Sequence, residues 1–122
     1  MDIFKKELKN QTFFEAGDQT RLTEVYHPKN DEHIKLPYSL AFASIKVGNK
    51  SLLHRLEQEE MYIFTQGVGS ITIGKNNFKV EKGTHILVPG GIDQEVTNEG
   101  SEALEFYCIV SPPWEEKDEL IL

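Results

Sequence analysis

The sequence predicts an all-β domain, a barrel or sandwich of short strands, on three observations. Turn signals recur at short intervals, at Gly48-Asn49, Gly67-Val68-Gly69, Gly74-Lys75-Asn76-Asn77, Lys82-Gly83, Pro89-Gly90-Gly91 and Asn98-Glu99-Gly100. The segments between them are of strand length and carry almost no helical periodicity. Leu36 to Val47, Met61 to Phe64 and Leu104 to Val110 are apolar or small on both faces, unlike a sheet with one side in water, so both faces are expected to be covered.

In chain order, residues 1 to 19 mix Lys, Glu, Asn and Gln with Phe13-Phe14, and Ile3, Phe4 and Leu8 have roughly helical spacing, which reads as a short helix or an arm lying on another surface. Arg21 to Tyr26 alternates as a strand, with Leu22 and Glu24 on one side and Thr23 and Val25 on the other. His27-Pro28-Lys29-Asn30-Asp31 ends it, because proline cannot donate to a ladder and Asn-Asp favours turns. His27 and His33 fall in this polar loop and read as surface residues. Ser70 to Gly74 and Phe78 to Lys82 read as a hairpin across Lys75-Asn76-Asn77. The last stretch leaves the sheet at Pro112-Pro113 and is expected to end acidic and exposed, with Trp114 packed back. One domain results, with an arm and first strand over 1–35, a barrel core over 36–111 and a tail over 112–122.

Composition narrows the partners. A chain of 122 residues makes one domain with a respectable core, and two domains would leave each half too small. Thirteen Lys and Arg against twenty Asp and Glu give a formal charge of −7, which repels phosphate backbones and anionic lipid, and the basic residues form no stripe. No nucleic-acid or membrane partner is expected. MDIFKKELKN has no apolar run of the signal-peptide kind and nothing later is long enough to span a bilayer, so a cytoplasmic location is the expectation. Cys108 is the single cysteine, excludes an intrachain disulfide, and reads as a buried small hydrophobe. Because one face of the two-sided strands must meet something beyond the barrel interior, either the N-terminal arm or a second subunit, a homodimer is expected.

Polar chemistry concentrates in two segments. Successive strand side chains point to opposite faces, so an inward His54 brings Leu56 inward, and an inward Glu60 brings Tyr62 and Phe64. An imidazole and a carboxyl then share an apolar pocket walled by Leu56, Tyr62 and Phe64, and Gln94 arrives from the second segment, Gly83 to Asn98. The structural alternatives are a hydrogen-bonded strand histidine, a Glu60 that belongs with Glu57 and Glu59 to a solvated acidic face, and a Gln94 and Asn98 that satisfy backbone groups near a turn. A phosphate-binding glycine loop, a Cys-x-x-Cys pair and a nucleophile elbow are absent from the sequence.

The spacing Gly48, His54, Leu56, Glu60, Gly67, followed by Gly83, Pro89, Gly91, Gln94, Asn98, closely resembles the two motifs of the small single-domain cupins, with Leu56 and Gln94 standing where two of the family's histidines would be. The match covers roughly residues 36 to 111. It implies a cupin-type β-barrel, a jelly roll with a central pocket that commonly holds a divalent metal such as Mn, Fe, Ni or Zn. Carried over position by position, His54 and Glu60 remain as ligands and Gln94 offers an amide oxygen, while Leu56 cannot bind metal. Such a site is weaker than the family's own and leaves coordination positions open for water or substrate. His85, entering the second motif, is a reserve ligand only.

Three functions stay open. One is metal-dependent chemistry of dioxygenase, isomerase or lyase type on a small polar molecule. A second is a metal-free acid–base enzyme using His54 or Glu60. The third is a metal-free module that binds or senses a sugar or carboxylate.

Overall fold

The computed structural model describes residues 1–122 and is all-β. Its strands are β1 (Phe14–Glu15), β2 (Arg21–Tyr26), β3 (Ser39–Ile45), β4 (His54–Leu56), β5 (Glu59–Gln66), β6 (Val68–Ile73), β7 (Asn76–Glu81), β8 (His85–Val88), β9 (Asp93–Asn98), β10 (Leu104–Ser111) and β11 (Glu119–Ile121). They form two antiparallel sheets, one ordered β1-β2-β3-β10-β5-β8 and the other β11-β4-β9-β6-β7. No helix is long and apolar enough to cross a membrane.

Strand period explains the core. Along β10, residues alternate strictly between buried and half-buried, so Leu104, Phe106, Cys108 and Val110 all face inward. Leu104 meets Phe64, Ile71, Val80 and Val96 in the solid end of the barrel. Further along the same strand, Phe106, Cys108 and Val110 line a cavity at the other end. Gly67 closes the first motif in the left-handed region at φ +88°, where a Cβ would stand 2.8 Å from the Ala103 carbonyl oxygen, so a side chain would be strained twice over.

The outer face of the first sheet is partly covered by the N-terminal arm, as one of the two sequence alternatives required. Phe13 packs edge-on against Phe42, which packs against Tyr107, and the Arg21 guanidinium lies 4.4 Å from the Phe13 ring centroid. The arm's only helical turn is the short 3-10 segment Leu8–Asn10.

Three local expectations need correction. The β6–β7 hairpin pairs Ile73 with Asn76, so its loop is Gly74-Lys75 and Asn76-Asn77 belong to β7. Gly74 at φ +59° takes the first loop position, which suits a two-residue connection better than the longer asparagine loop. The tail does not stay off the sheet. β11 pairs with β4, Glu119 opposite Leu56 and Ile121 opposite His54, and the Gln58 side chain donates to Asp118 Oδ2 at 2.7 Å. Finally, His27 is buried rather than on the surface. The Lys29 amide donates to its Nδ1 (3.1 Å), so Nε2 carries the proton and donates to the Trp114 carbonyl (2.7 Å), clipping the tail to the end of β2.

Candidate functional site

The cavity holds about 110 Å³ and opens between the barrel, the turn Ala16–Thr20 and the tail. Its floor is apolar, from Leu56, Ala43 and Phe106. Four carboxyls, Asp18, Glu24, Glu60 and Glu119, and one imidazole, His54, reach it, and no lysine or arginine does. A cavity so lined repels anions unless a cation enters first.

His54 begins β4 and is 3 % exposed. Its Nδ1 lies 2.8 Å from the Leu52 carbonyl oxygen, which can only accept, so Nδ1 carries a proton in this bond. In the neutral ring Nε2 is then a bare lone pair. That atom makes no hydrogen bond and faces Asp18 Oδ2 at 3.7 Å. Asp18 is itself fixed. Its Oδ1 accepts from the Thr20 amide (3.1 Å) and the Thr20 hydroxyl (2.8 Å), and the Leu52 amide donates to its carbonyl oxygen (2.7 Å). Glu119 completes the group from β11. Ligand atoms of Asp18, His54 and Glu119 all lie within 4.8 Å of one another. Burial, then the Asp18 charge, raises the Glu119 carboxyl above its ordinary pKa, opposed by His54 and by a hydrogen bond from Trp114.

A second polar group lies deeper. Gln94, 1 % exposed, sits opposite His54 in the β4–β9 ladder. Its amide is held on both sides: the Tyr62 hydroxyl donates to Oε1, and Nε2 donates to Glu60 Oε1 at 3.1 Å. Glu60 also receives the Cys108 thiol. Burial raises the Glu60 pKa, against the lowering pull of His54 and of these hydrogen bonds. Tyr62 is pushed well above its usual value by burial first and the Glu60 charge second, and Cys108 likewise. The cavity wall includes Glu60 and Tyr62 but not Gln94, whose amide lies behind them.

The sequence-derived residues are therefore distributed as follows. His54, Leu56, Glu60 and Tyr62 face the cavity from their expected sides. Phe64 does not line it but is packed in the core, 1 % exposed, beside Phe106. His85 stands on the exposed side of β8, its Nδ1 held by the Gly83 carbonyl at 2.9 Å, and does not reach the cavity. Asn98 serves the turn, donating to the Ile45 and Glu102 carbonyls and accepting from the Gly100 amide, each at 2.9 Å. Sequence reasoning missed Asp18 and Glu119. The Asp-x-Thr spacing of a side-chain-capped turn marks the first, and the apolar Leu120-Ile121-Leu122 after the acidic run marks a strand that carries the second.

Two antiparallel sheets closed around a solid core at one end and a polar-lined cavity at the other define a jelly-roll barrel protein with an internal site. The chain belongs to the cupin family: the family model described as "Cupin domain" matches residues 41–110. An uncharacterized protein of Methanocaldococcus jannaschii is 32 % identical over 123 residues, covering 100 % of this chain and 97 % of that one. Among solved structures, the plu4264 protein of Photorhabdus luminescens superposes with a TM-score of 0.74 at 24 % identity, over 97 % of this chain and 92 % of that one. A predicted oxalate decarboxylase of Thermotoga maritima gives 0.77 at 14 % identity, over 89 % and 99 %. Oxalate decarboxylase of Lactobacillus farciminis in complex with formate gives 0.80 at 19 % identity, over 94 % of this chain but 34 % of the enzyme. At such identities the structural likeness establishes the fold alone. Asp18 and Glu119 both lie outside the matched 41–110 segment.

Proposed function

We propose that this cupin binds a divalent metal ion, Mn, Fe, Ni or Zn, in its barrel cavity with His54 as the anchoring ligand, and a small polar molecule beside it. The observation that carries the reading is the His54 ring: Nδ1 is tied to the Leu52 carbonyl, leaving the Nε2 lone pair directed into a carboxylate-lined cavity. Metal-binding histidines are held in this way, through the nitrogen that does not face the metal. Glu60 and Gln94 are the further ligand positions that the family motif supplies. A bound ion would act as a Lewis acid toward an oxygen of the small molecule. The chain's own residues do the rest. The four carboxyls exclude free anions, and the Leu56 and Phe106 floor excludes bulk water.

The neighbours named as oxalate decarboxylases support a small carboxylate as that molecule, and lyase-type chemistry among the dioxygenase, isomerase and lyase classes. The cavity volume of about 110 Å³ suits a molecule of a few heavy atoms. Elemental analysis of the purified protein, with thermal melts in oxalate plus and minus Mn²⁺, tests this. Stoichiometric metal that is lost in His54→Ala, together with oxalate stabilisation seen only with Mn²⁺, is the expected result. Oxalate stabilisation of the metal-free protein would favour a metal-free binding module instead.

A second copy of the chain is the proposed macromolecular partner. Leu40, Ile109, Met61 and Leu87 lie in register across the outer face of β3, β10, β5 and β8, and Leu87 is 46 % exposed. Solution scattering should give a dimer that Leu87→Lys dissociates; a wild-type monomer at high concentration would end the proposal.

A further inference from the structure

We infer that the cation is held by Asp18, His54 and Glu119, a site closed by the N-terminal turn and the C-terminal strand, rather than by His54 with Glu60 and Gln94. The inference rests on the metal reading above and specifies its ligands.

Hydrogen-bond arithmetic separates the two sets. In the Glu60 group the Gln94 amide is already engaged at both ends, since it spans the Tyr62 hydroxyl and one oxygen of the Glu60 carboxylate. Recruiting the Gln94 oxygen to a metal would take it from Tyr62, a buried hydroxyl with no second partner. The Asp18 group has the opposite character. It brings an imidazole lone pair and two carboxylates together with no donor between them. Three acceptors facing one another repel until a proton or a cation enters.

Two of these groups are also braced from behind: His54 Nδ1 is held by the Leu52 carbonyl and Asp18 Oδ1 by Thr20. Leu52 links the two, because its amide holds the Asp18 carbonyl while its own carbonyl holds His54. Outer contacts of this kind orient ligands and raise their basicity. One imidazole and two carboxylates suit Mn²⁺, Fe²⁺ or Zn²⁺, with positions left for water or substrate.

Because two ligands come from segments flanking the barrel motifs, the metal should also fasten those segments. The test is Zn²⁺ binding by calorimetry to wild type, Asp18→Asn, Glu119→Gln, His54→Ala and Glu60→Gln, with hydrogen exchange of the same proteins in Zn²⁺ and in EDTA. Asp18→Asn and Glu119→Gln should each weaken Zn²⁺ by about tenfold or more, His54→Ala should abolish it, and Glu60→Gln should stay close to wild type. Zn²⁺ should slow exchange at residues 16–20 and 114–121 in wild type and in Glu60→Gln but not in Asp18→Asn. Both replacements are near-isosteric, and a wild-type exchange pattern in EDTA certifies their folds. Loss of Zn²⁺ in Glu60→Gln with retention in Asp18→Asn and Glu119→Gln would overturn this ligand set and leave the metal reading intact. A wild-type protein that takes up no Zn²⁺ would overturn both.

Discussion

Two polar groups share one cavity wall and differ in how their hydrogen bonds are settled. Glu60, Gln94 and Tyr62 form a chain in which donors meet acceptors, so its members stabilise one another and the pocket behind them. Asp18, His54 and Glu119 gather acceptors only, so their proximity costs free energy until something positive joins them. Burial alone does not mark a binding site. What marks it is which groups remain unmatched once the neighbouring atoms have been counted.

The largest expected effect breaks the settled side. Gln94→Leu strands the Tyr62 hydroxyl and one Glu60 oxygen in the interior and should cost about 2 to 4 kcal/mol in urea denaturation with EDTA present. A loss below about 1 kcal/mol would mean that water or rearrangement replaces the amide.

The unsettled side should respond with the opposite sign. In EDTA, Asp18→Asn removes one negative charge and supplies an amide donor, while its Oδ1 can still accept from Thr20, so stability should be unchanged or rise by up to about 1 kcal/mol. In saturating Zn²⁺ the same variant should melt below wild type, because it forgoes binding free energy that the native state alone collects. Destabilisation of equal size in both conditions would make Asp18 a structural residue.

Acidity sharpens the comparison next. The folded-state pKa of Glu60 lies above the ordinary glutamate value of 4.5, chiefly through burial. Above the unfolded pKa the unfolded chain gives up this proton while the folded chain retains it, so the contribution of Glu60 to stability is full at low pH and is lost as pH rises through the folded value. Glu60→Gln removes that dependence. Its stability relative to wild type in EDTA should therefore improve steadily as pH climbs from about 4.5 toward neutrality. A difference that does not change with pH would return Glu60 to ordinary acidity.

The smallest effect concerns the brace behind Asp18. Thr20→Val deletes one of two hydrogen bonds to Oδ1, keeps the backbone donor, and should weaken Zn²⁺ by only a few-fold while costing about 1 kcal/mol or less.

The barrel was largely legible because its signals are local. Arg21 to Tyr26 reads as a strand from alternation alone, and the structure gives β2 those same bounds. His54, Leu56, Glu60 and Tyr62 turn inward because period two leaves no other choice once the glycine turns set the register. The mouth of the cavity was less legible. Asp18 sits in a Gly-Asp-Gln-Thr turn and Glu119 at the end of an acidic run, both patterns that usually belong to solvent. Only long-range pairing, β11 on β4 and the Leu52 amide on the Asp18 carbonyl, brings them to His54. His27 was misread for the same reason, since its partner Trp114 is 87 residues away. Phe64 shows a further limit: alternation says which face a residue takes, but not whether that stretch of the face meets the core or the cavity.

Anomalous diffraction from crystals grown with Zn²⁺ addresses the central claim most directly. The account predicts one peak about 2 Å from His54 Nε2 with carboxylate oxygens of Asp18 and Glu119 at similar range. A peak bound instead by Glu60 and Gln94, or a cavity free of anomalous signal at saturating zinc, would contradict it.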